Sequence, residues 1–282
     1  MDTPISKFLP PDFDKSAKIA ILAGKGEYPI MLKKRLDSFG IPNALMAFED
    51  ETPPELFNAY PSSERYSSNV GQLGKLLKNL KASRAKYAIM AGQITPKKLF
   101  RGMKPDLKAI MILASLKRKN AETIFGAIAK EMSAIGVEML DARSFFDDSV
   151  APKGFFAGKS WPIKPEHMEH AMSIARECAR LDIGQGCVAA RGTVLAVEAF
   201  EGTDKMLERA GQFEAKDALF AKTVKPNQDY RFDVPVIGER TMRKLAAANI
   251  KNVVLESDKV IILQKEKVLA LAAEHSIKIF GI

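Results

Sequence analysis

The chain has 282 residues, 46% of them hydrophobic and 27% charged, which is the balance of an ordinary globular protein and excludes a collagenous, low-complexity or mostly disordered chain. Net charge is +9 at pH 7, so an anionic partner is worth seeking. No uncharged apolar run approaches the ~18–20 residues of a membrane-spanning helix, the longest being residues 109–116.

The elements follow in chain order. After a leader (residues 1–17), residues 18–23 form an apolar strand stopped by Gly24, and 28–39 a helix with Pro29 in its first turn. A strand at 42–48, helices at 54–60 and 71–80, a strand at 87–90, helices at 107–116 and 121–135 and a strand at 137–140 complete an alternating pattern. Strands alternating with helices predict a doubly wound, Rossmann-like α/β domain over residues 1–146. Residues 147–163 are rich in Pro, Gly and aromatics and read as a linker. With it, residues 147–282 form a second domain that mixes a helix at 165–181, a hairpin of 186–190 with 194–200, a helix at 205–209 capped by Thr203 or Asp204, and extended segments at 218–223 and 230–234. A helix at 241–248, a hairpin of 253–256 with 260–263 across Ser257–Asp258, a helix at 265–274 and a strand at 277–280 follow. This mixture predicts an α+β second domain.

Pro and Asp stand near the N-terminus where a signal peptide would carry its apolar stretch, and Cys178 and Cys187 form no CxxC or zinc spacing. A cytoplasmic protein is expected. The positive charge is concentrated: residues 71–120 hold 13 Lys and Arg against one acid, Asp106. Such a stretch suits phosphates or an acidic membrane surface, or is a solvated helix face without a partner. Without interleaved aromatics or a nucleic-acid-binding signature, no nucleic-acid partner is expected.

Four segments could carry chemistry. Gly24, Lys25 and Gly26 lie between the first strand and the first helix, where glycines let a phosphate approach the backbone and the helix N-terminus favours an anion; a tight turn alone would read the same way. Gly92, Gln93 and Thr95 form the corresponding loop after the strand at 87–90. In the segment 198–204, Glu198, Glu201 and Asp204 supply carboxylates beside Gly202 and Thr203, although helix capping accounts for some of these residues. In the segment 225–235, a strand would put Asp229, Arg231 and Asp233 on one face, with Lys225 nearby. Carboxylates there could hold Mg²⁺ and the cations balance phosphoryl charge, or the face could be a salt-bridged surface. His167 and His170 lack a metalloprotease spacing and read as surface residues.

The stretches IAILAGKGEYP, VGQLGKLLKNLK, AGQITP, LDIGQGCVAARGTVLAVEAFEGTD and AKTVKPNQDYRFDVPVIG resemble the LpxI family of UDP-2,3-diacylglucosamine diphosphatases, from about residue 18 to the C-terminus. The resemblance implies a peripheral inner-membrane enzyme of lipid A synthesis that hydrolyses UDP-2,3-diacylglucosamine to UMP and 2,3-diacylglucosamine 1-phosphate. It implies a divalent cation, Mg²⁺ first and Mn²⁺ as the alternative, and no nicotinamide or flavin. It also implies substrate held between two domains, water attacking the sugar-side phosphorus, and an essential aspartate that maps to Asp229 first, with Asp233 beside it. On this reading Glu198, Glu201, Asp204, Asp229 and Asp233 are the metal-ligand candidates. Gly24, Lys25, Gly26, Gly92, Gln93, Thr95, Gly202, Thr203, Lys225 and Arg231 are the substrate contacts, and a homodimer is a further partner to test. Phe145, Phe146, Phe155, Phe156 and Trp161 are candidates to line an acyl-chain groove or to pack at an interdomain seam.

Two other functions fit parts of the chain. A nicotinamide-dependent oxidoreductase is disfavoured by Pro29 in place of a third glycine and by the lack of a clear acid ending the second strand. A basic membrane- or RNA-binding module leaves Glu198, Glu201, Asp229 and Asp233 without a role.

Overall fold

The computed structural model describes residues 5–94, 105–117 and 121–282, so Thr95, Lys97 and Lys98 lie outside the described residues. The chain divides into two compact units. Met1–Phe145 with Asp229–Asp233 form the first, and Phe146–Gln228 with Val234–Ile282 form the second. The chain therefore leaves the second unit after Gln228, gives five residues to the first, and returns at Val234.

The first unit is built on five parallel strands: β1 (Ile19–Ala23), β2 (Asn43–Phe48), β3 (Arg65–Ser68), β4 (Tyr87–Ala91) and β5 (Glu138–Met139). Their order is β3-β2-β1-β4-β5. The sheet is accompanied by α1 (Glu27–Ser38), α2 (Pro54–Asn58), α3 (Leu73–Ser83), α4 (Leu107–Ser115) and α5 (Ala121–Ala134). β1 is buried along its whole length, as expected of a central parallel strand written as an unbroken apolar run. Helix α3 places Leu73, Leu76, Leu77 and Leu80 at helical spacing, and all four pack in one cluster with Ala20, Leu22, Ala44 and Met46 of the sheet. Each such leucine contributes roughly 1.5–3 kcal/mol by its burial. The strand order reverses direction between β1 and β4, so the loops after these strands flank the crevice where α/β sheets take ligands.

The second unit contains β6 (Gly154–Ala157), β7 (Gly186–Ala190), β8 (Thr193–Val197), β9 (Leu219–Lys222), β10 (Val236–Ile237), β11 (Asn252–Leu255), β12 (Ile261–Ile262) and β13 (Lys278–Gly281). Six of them form a mixed sheet, β6-β13-β11-β9-β7-β8, in which β9, β11 and β13 are parallel and β6, β7 and β8 pair antiparallel. Helices α6 (Pro165–Arg180), α7 (Thr203–Gly211), α8 (Glu239–Ala247) and α9 (Lys265–Glu274) complete this unit. The α/β class with a mixed second domain is as expected.

Four local expectations need correction. Residues 229–233 form a turn rather than a strand: Asp229 accepts the Arg231 N–H through its own side chain at 3.1 Å, and its carbonyl accepts from Phe232 and Asp233. Ser257–Asp258 does not join a hairpin, because β12 pairs in parallel with β10 and not with β11. The N-cap of α7 is Gly202, with no side-chain cap from Thr203 or Asp204, which are held elsewhere. The segment 147–163 holds β6, an edge strand antiparallel to β13.

Candidate active site

At the carboxyl edge of the first sheet, the loops after β1 and β4 are zipped together. Lys25 N–H donates to the Gln93 carbonyl at 2.8 Å, and Gln93 N–H donates back to Lys25 at 3.1 Å. The glycines here serve this contact first. A Cβ on Gly92 would lie 2.5 Å from the Lys25 carbonyl oxygen, and the backbone there has φ +90°. Gly26 differs: its φ of +93° demands glycine, and nothing would obstruct a Cβ. It is the N-cap of α1 and, as a glycine, supplies no side-chain cap at a helix end whose dipole favours an anion. Lys25 reaches Glu51, whose side chain is fully buried, at 3.6 Å.

The turn 229–233 docks on this same unit. Ala142, just past β5, donates its N–H to the Tyr230 carbonyl at 2.8 Å, and its own carbonyl accepts from the hydroxyl of Tyr28 in the first turn of α1. One residue thus ties the helix that follows the glycine loop to the aspartate turn. Arg143 adds a clamp. Its guanidinium lies 3.4 Å from the Tyr230 ring centroid and 4.3 Å from that of Phe8 in the leader, and Asp141 holds it through paired hydrogen bonds. Phe232 stacks on Phe125 of α5 at 5.7 Å.

Within the turn, Arg231 binds Asp229 with both arms, Nε at 2.9 Å and a terminal nitrogen at 2.5 Å. The Arg231 hydrogen bond holds the Asp229 carboxyl below the usual carboxylate range. Asp233 is exposed, and its N–H donates to the Asp229 carbonyl. That closure makes residues 229–233 one tight turn. The strand period that put the two aspartates on one face does not apply to it.

The carboxylates expected around residue 200 belong to the second unit, and each is taken by a neighbour. Glu198 accepts from Thr203 Oγ1 at 2.7 Å and pairs with Lys222 at 3.5 Å, while Lys222 also donates to Thr203 at 3.0 Å. Glu201 pairs with Arg209 at 2.7 Å, which lowers its pKa, and Asp204 pairs with Arg240. Lys225 pairs with Asp182. Among the described residues no group of three or more His, Cys, Asp and Glu is gathered to hold a metal, so the five candidates do not form one shell. Asp229 and Asp233 still fit a magnesium site of the usual kind, in which one or two carboxylates are completed by substrate phosphates and water.

The sequence reading overlooked Lys222, Tyr28, Arg143 and Glu256. Lys222 had a signal: it is the one charge in the run ALFAKTV, and it is buried. Glu256, just past β11, accepts from Thr223 and Val224 and from Lys259 at 2.7 Å. Burial pushes its carboxyl up, but the Lys259 and Thr223 hydrogen bonds outweigh that and leave it below the usual range. The linker aromatics are absorbed by packing: Phe145 stands against Phe13 and Phe39, and Trp161 against Phe155 and Phe280.

A 3-2-1-4-5 parallel sheet whose switch-point edge carries a glycine loop, an uncapped helix N-terminus and a docked acid–arginine turn defines an α/β protein equipped for a phosphorylated ligand. The chain belongs to the LpxI family: residues 18–149 match the LpxI N-terminal domain and residues 152–280 the LpxI C-terminal domain. It is similar to a UDP-2,3-diacylglucosamine pyrophosphatase LpxI of Caulobacter vibrioides, with 32% identity over 279 residues that cover 94% of this chain and 97% of that protein.

Proposed function

We propose that the chain hydrolyses the diphosphate bond of UDP-2,3-diacylglucosamine, the compound named for its Caulobacter relative, and that it releases UMP and 2,3-diacylglucosamine 1-phosphate. The observation that carries this reading to particular residues is the docking of the turn 229–233 onto the edge that bears the glycine loop. The N–H groups after Gly26 hold a phosphate, and Lys25 adds charge. Asp229, with its lowered pKa, stays ionised at neutral pH and is a weak base, so its part is to orient water or a cation. Asp233, exposed in the same turn, is the candidate to take the proton of the attacking water. Arg231 keeps Asp229 in place and balances negative charge at the edge.

A divalent cation, Mg²⁺ or Mn²⁺, held by Asp229 and Asp233 would supply charge neutralisation on the phosphoryl oxygens. The protein is proposed to work in the cytoplasm at the inner-membrane surface, where a diacylated substrate resides. Product analysis after incubation with UDP-2,3-diacylglucosamine tests the reaction. UMP release that EDTA abolishes and Mg²⁺ restores is expected. Full activity in EDTA overturns the cation, and no UMP under any condition overturns the reaction.

A further inference from the structure

Helix α4, LKAIMILAS, is apolar nearly all round. Its inner face is accounted for, since Ala109 is buried in the core of the first unit and Ile112 packs against it. Among the described residues its outer face is not. Leu107, Ile110 and Met111 are 73%, 50% and 61% exposed, and with Ala114 they complete an i, i+3, i+4, i+7 stripe turned away from the core. A surface helix ordinarily writes charge on that side. Here Lys108 is drawn aside to Glu131 at 2.7 Å, and the apolar stripe is left outside.

Along residues 71–120 the charges are nearly all of one sign, and Glu131 is engaged by Lys108. Asp106, the only acid in residues 71–120, is spent on backbone. One carboxylate oxygen accepts from Ala109 N–H at 2.9 Å, and the other accepts from Gly74 N–H at 2.7 Å, capping α4 and entering the first turn of α3. The two helices therefore start side by side, and α3 exposes Lys75 and Lys78 while Lys117 is exposed just past α4.

We infer that the outer face of α4 is a docking surface for an anionic lipid bilayer, with Leu107, Ile110 and Met111 entering the interface and Lys75, Lys78 and Lys117 meeting lipid phosphates. An apolar stripe beside an unopposed cationic rim is the pattern of a helix lying in a membrane interface. At nine residues the helix cannot span, and among the described residues no helix is long and apolar enough to cross a membrane. A soluble protein partner would have to present a surface both apolar and strongly acidic, whereas an anionic leaflet has both properties already. The inference rests on the proposed diacylated substrate, which a bilayer-docked enzyme meets without extracting it through water.

The test uses the full chain and phosphatidylcholine vesicles with and without phosphatidylglycerol, followed by sedimentation. Wild-type protein should bind the anionic vesicles and not the neutral ones. The triple variant Leu107→Ser, Ile110→Ser, Met111→Ser should lose about tenfold or more in binding, since its side chains are what the interface buries. Lys75→Glu with Lys78→Glu should lose about fivefold or more per lysine, in a salt-dependent way. Both variants should release UMP from detergent-dispersed substrate at the wild-type rate. Vesicle binding by the triple variant equal to wild type overturns the inference. So does light scattering that finds a wild-type dimer split by these substitutions, because the stripe is then a contact between copies. The vesicle arm decides the surface and the detergent arm decides the substrate, so the two readings can fail separately.

Discussion

At the edge of the first sheet, Asp229 and Asp233 stand on a turn, with Asp229 and Arg231 side chains 26% and 46% exposed. At the end of β9 in the second unit, Glu198 is folded onto Thr203 and Lys222, and the paired side chains are only 14% and 8% exposed. Both places join a carboxylate to a cation, yet they do different work. A pair open to water costs little to form and little to lose, so its charge is available to a ligand. A pair withdrawn from water depends on its partner, because either charge left alone in the interior is expensive. The first is the pair to which the proposed function gives a part in the reaction, and the second holds a sheet end together.

The sharpest way to break this comparison is to remove the open carboxylates. Asp229→Ala and Asp233→Ala should each reduce UMP release on the order of 10²-fold or more while the melting temperature stays near wild type. Near-normal turnover by a folded Asp233→Ala protein would end its assignment as the base. Next, Lys222→Met should cost about 3 kcal/mol in chemical denaturation by stranding Glu198, and adding Glu198→Gln should recover most of it. A folded double variant with no activity would move Glu198 from the strut to the catalytic group.

The loops that frame the open site can be probed through Gly92→Ala. Its Cβ would sit 2.5 Å from a backbone oxygen at φ +90°, and about 2 kcal/mol of stability should be lost along with turnover. The smallest effect belongs to Glu256. Its pKa is lowered from 4.5, so the stability it contributes is full above that value and is lost as the pH falls through the lower folded value. Glu256→Gln should therefore lower the melting temperature at neutral pH, and the gap to wild type should close as the pH falls below 4.5, read from thermal melts across pH.

Much of the fold could be read from the chain because burial on both faces leaves plain marks. β1, β2 and β4 are apolar runs, and α3 repeats leucine at helical spacing. Two of the four edge strands of the two large sheets escaped. β3, written RYSS, pairs on one side only and has no apolar run to show, and β6 is hidden among Pro, Gly and aromatic residues. In the turn 229–233, the alternation Asp-Tyr-Arg-Phe-Asp imitates a strand, but local hydrogen bonds from the Asp229 side chain outweigh the period. The candidate aspartates were visible as residue types. Their docking through Ala142 and Arg143 was not, because those partners lie nearly 90 residues away in sequence. The same distance hid the pairing of β12 with β10 rather than β11, since Ser257–Asp258 carries the marks of a hairpin turn.

The brief return of the chain to the first unit also sets an order of assembly. On the ribosome, everything in that unit up to Phe145 is synthesised before the residues that finish its edge, which come only with Asp229–Asp233. At 5–20 residues per second the gap lasts about 4–18 s. During that interval Ala142 and Arg143 wait without the turn they later hold, and on the proposed assignment the nascent protein lacks its catalytic aspartates. On the proposed assignment, a fragment ending at the natural-looking boundary near residue 150 would keep its parallel sheet and its glycine loop and still be inert. Activity would return only if the second fragment donated its turn across the break, which makes a split version of this chain a reporter of whether its two halves have met.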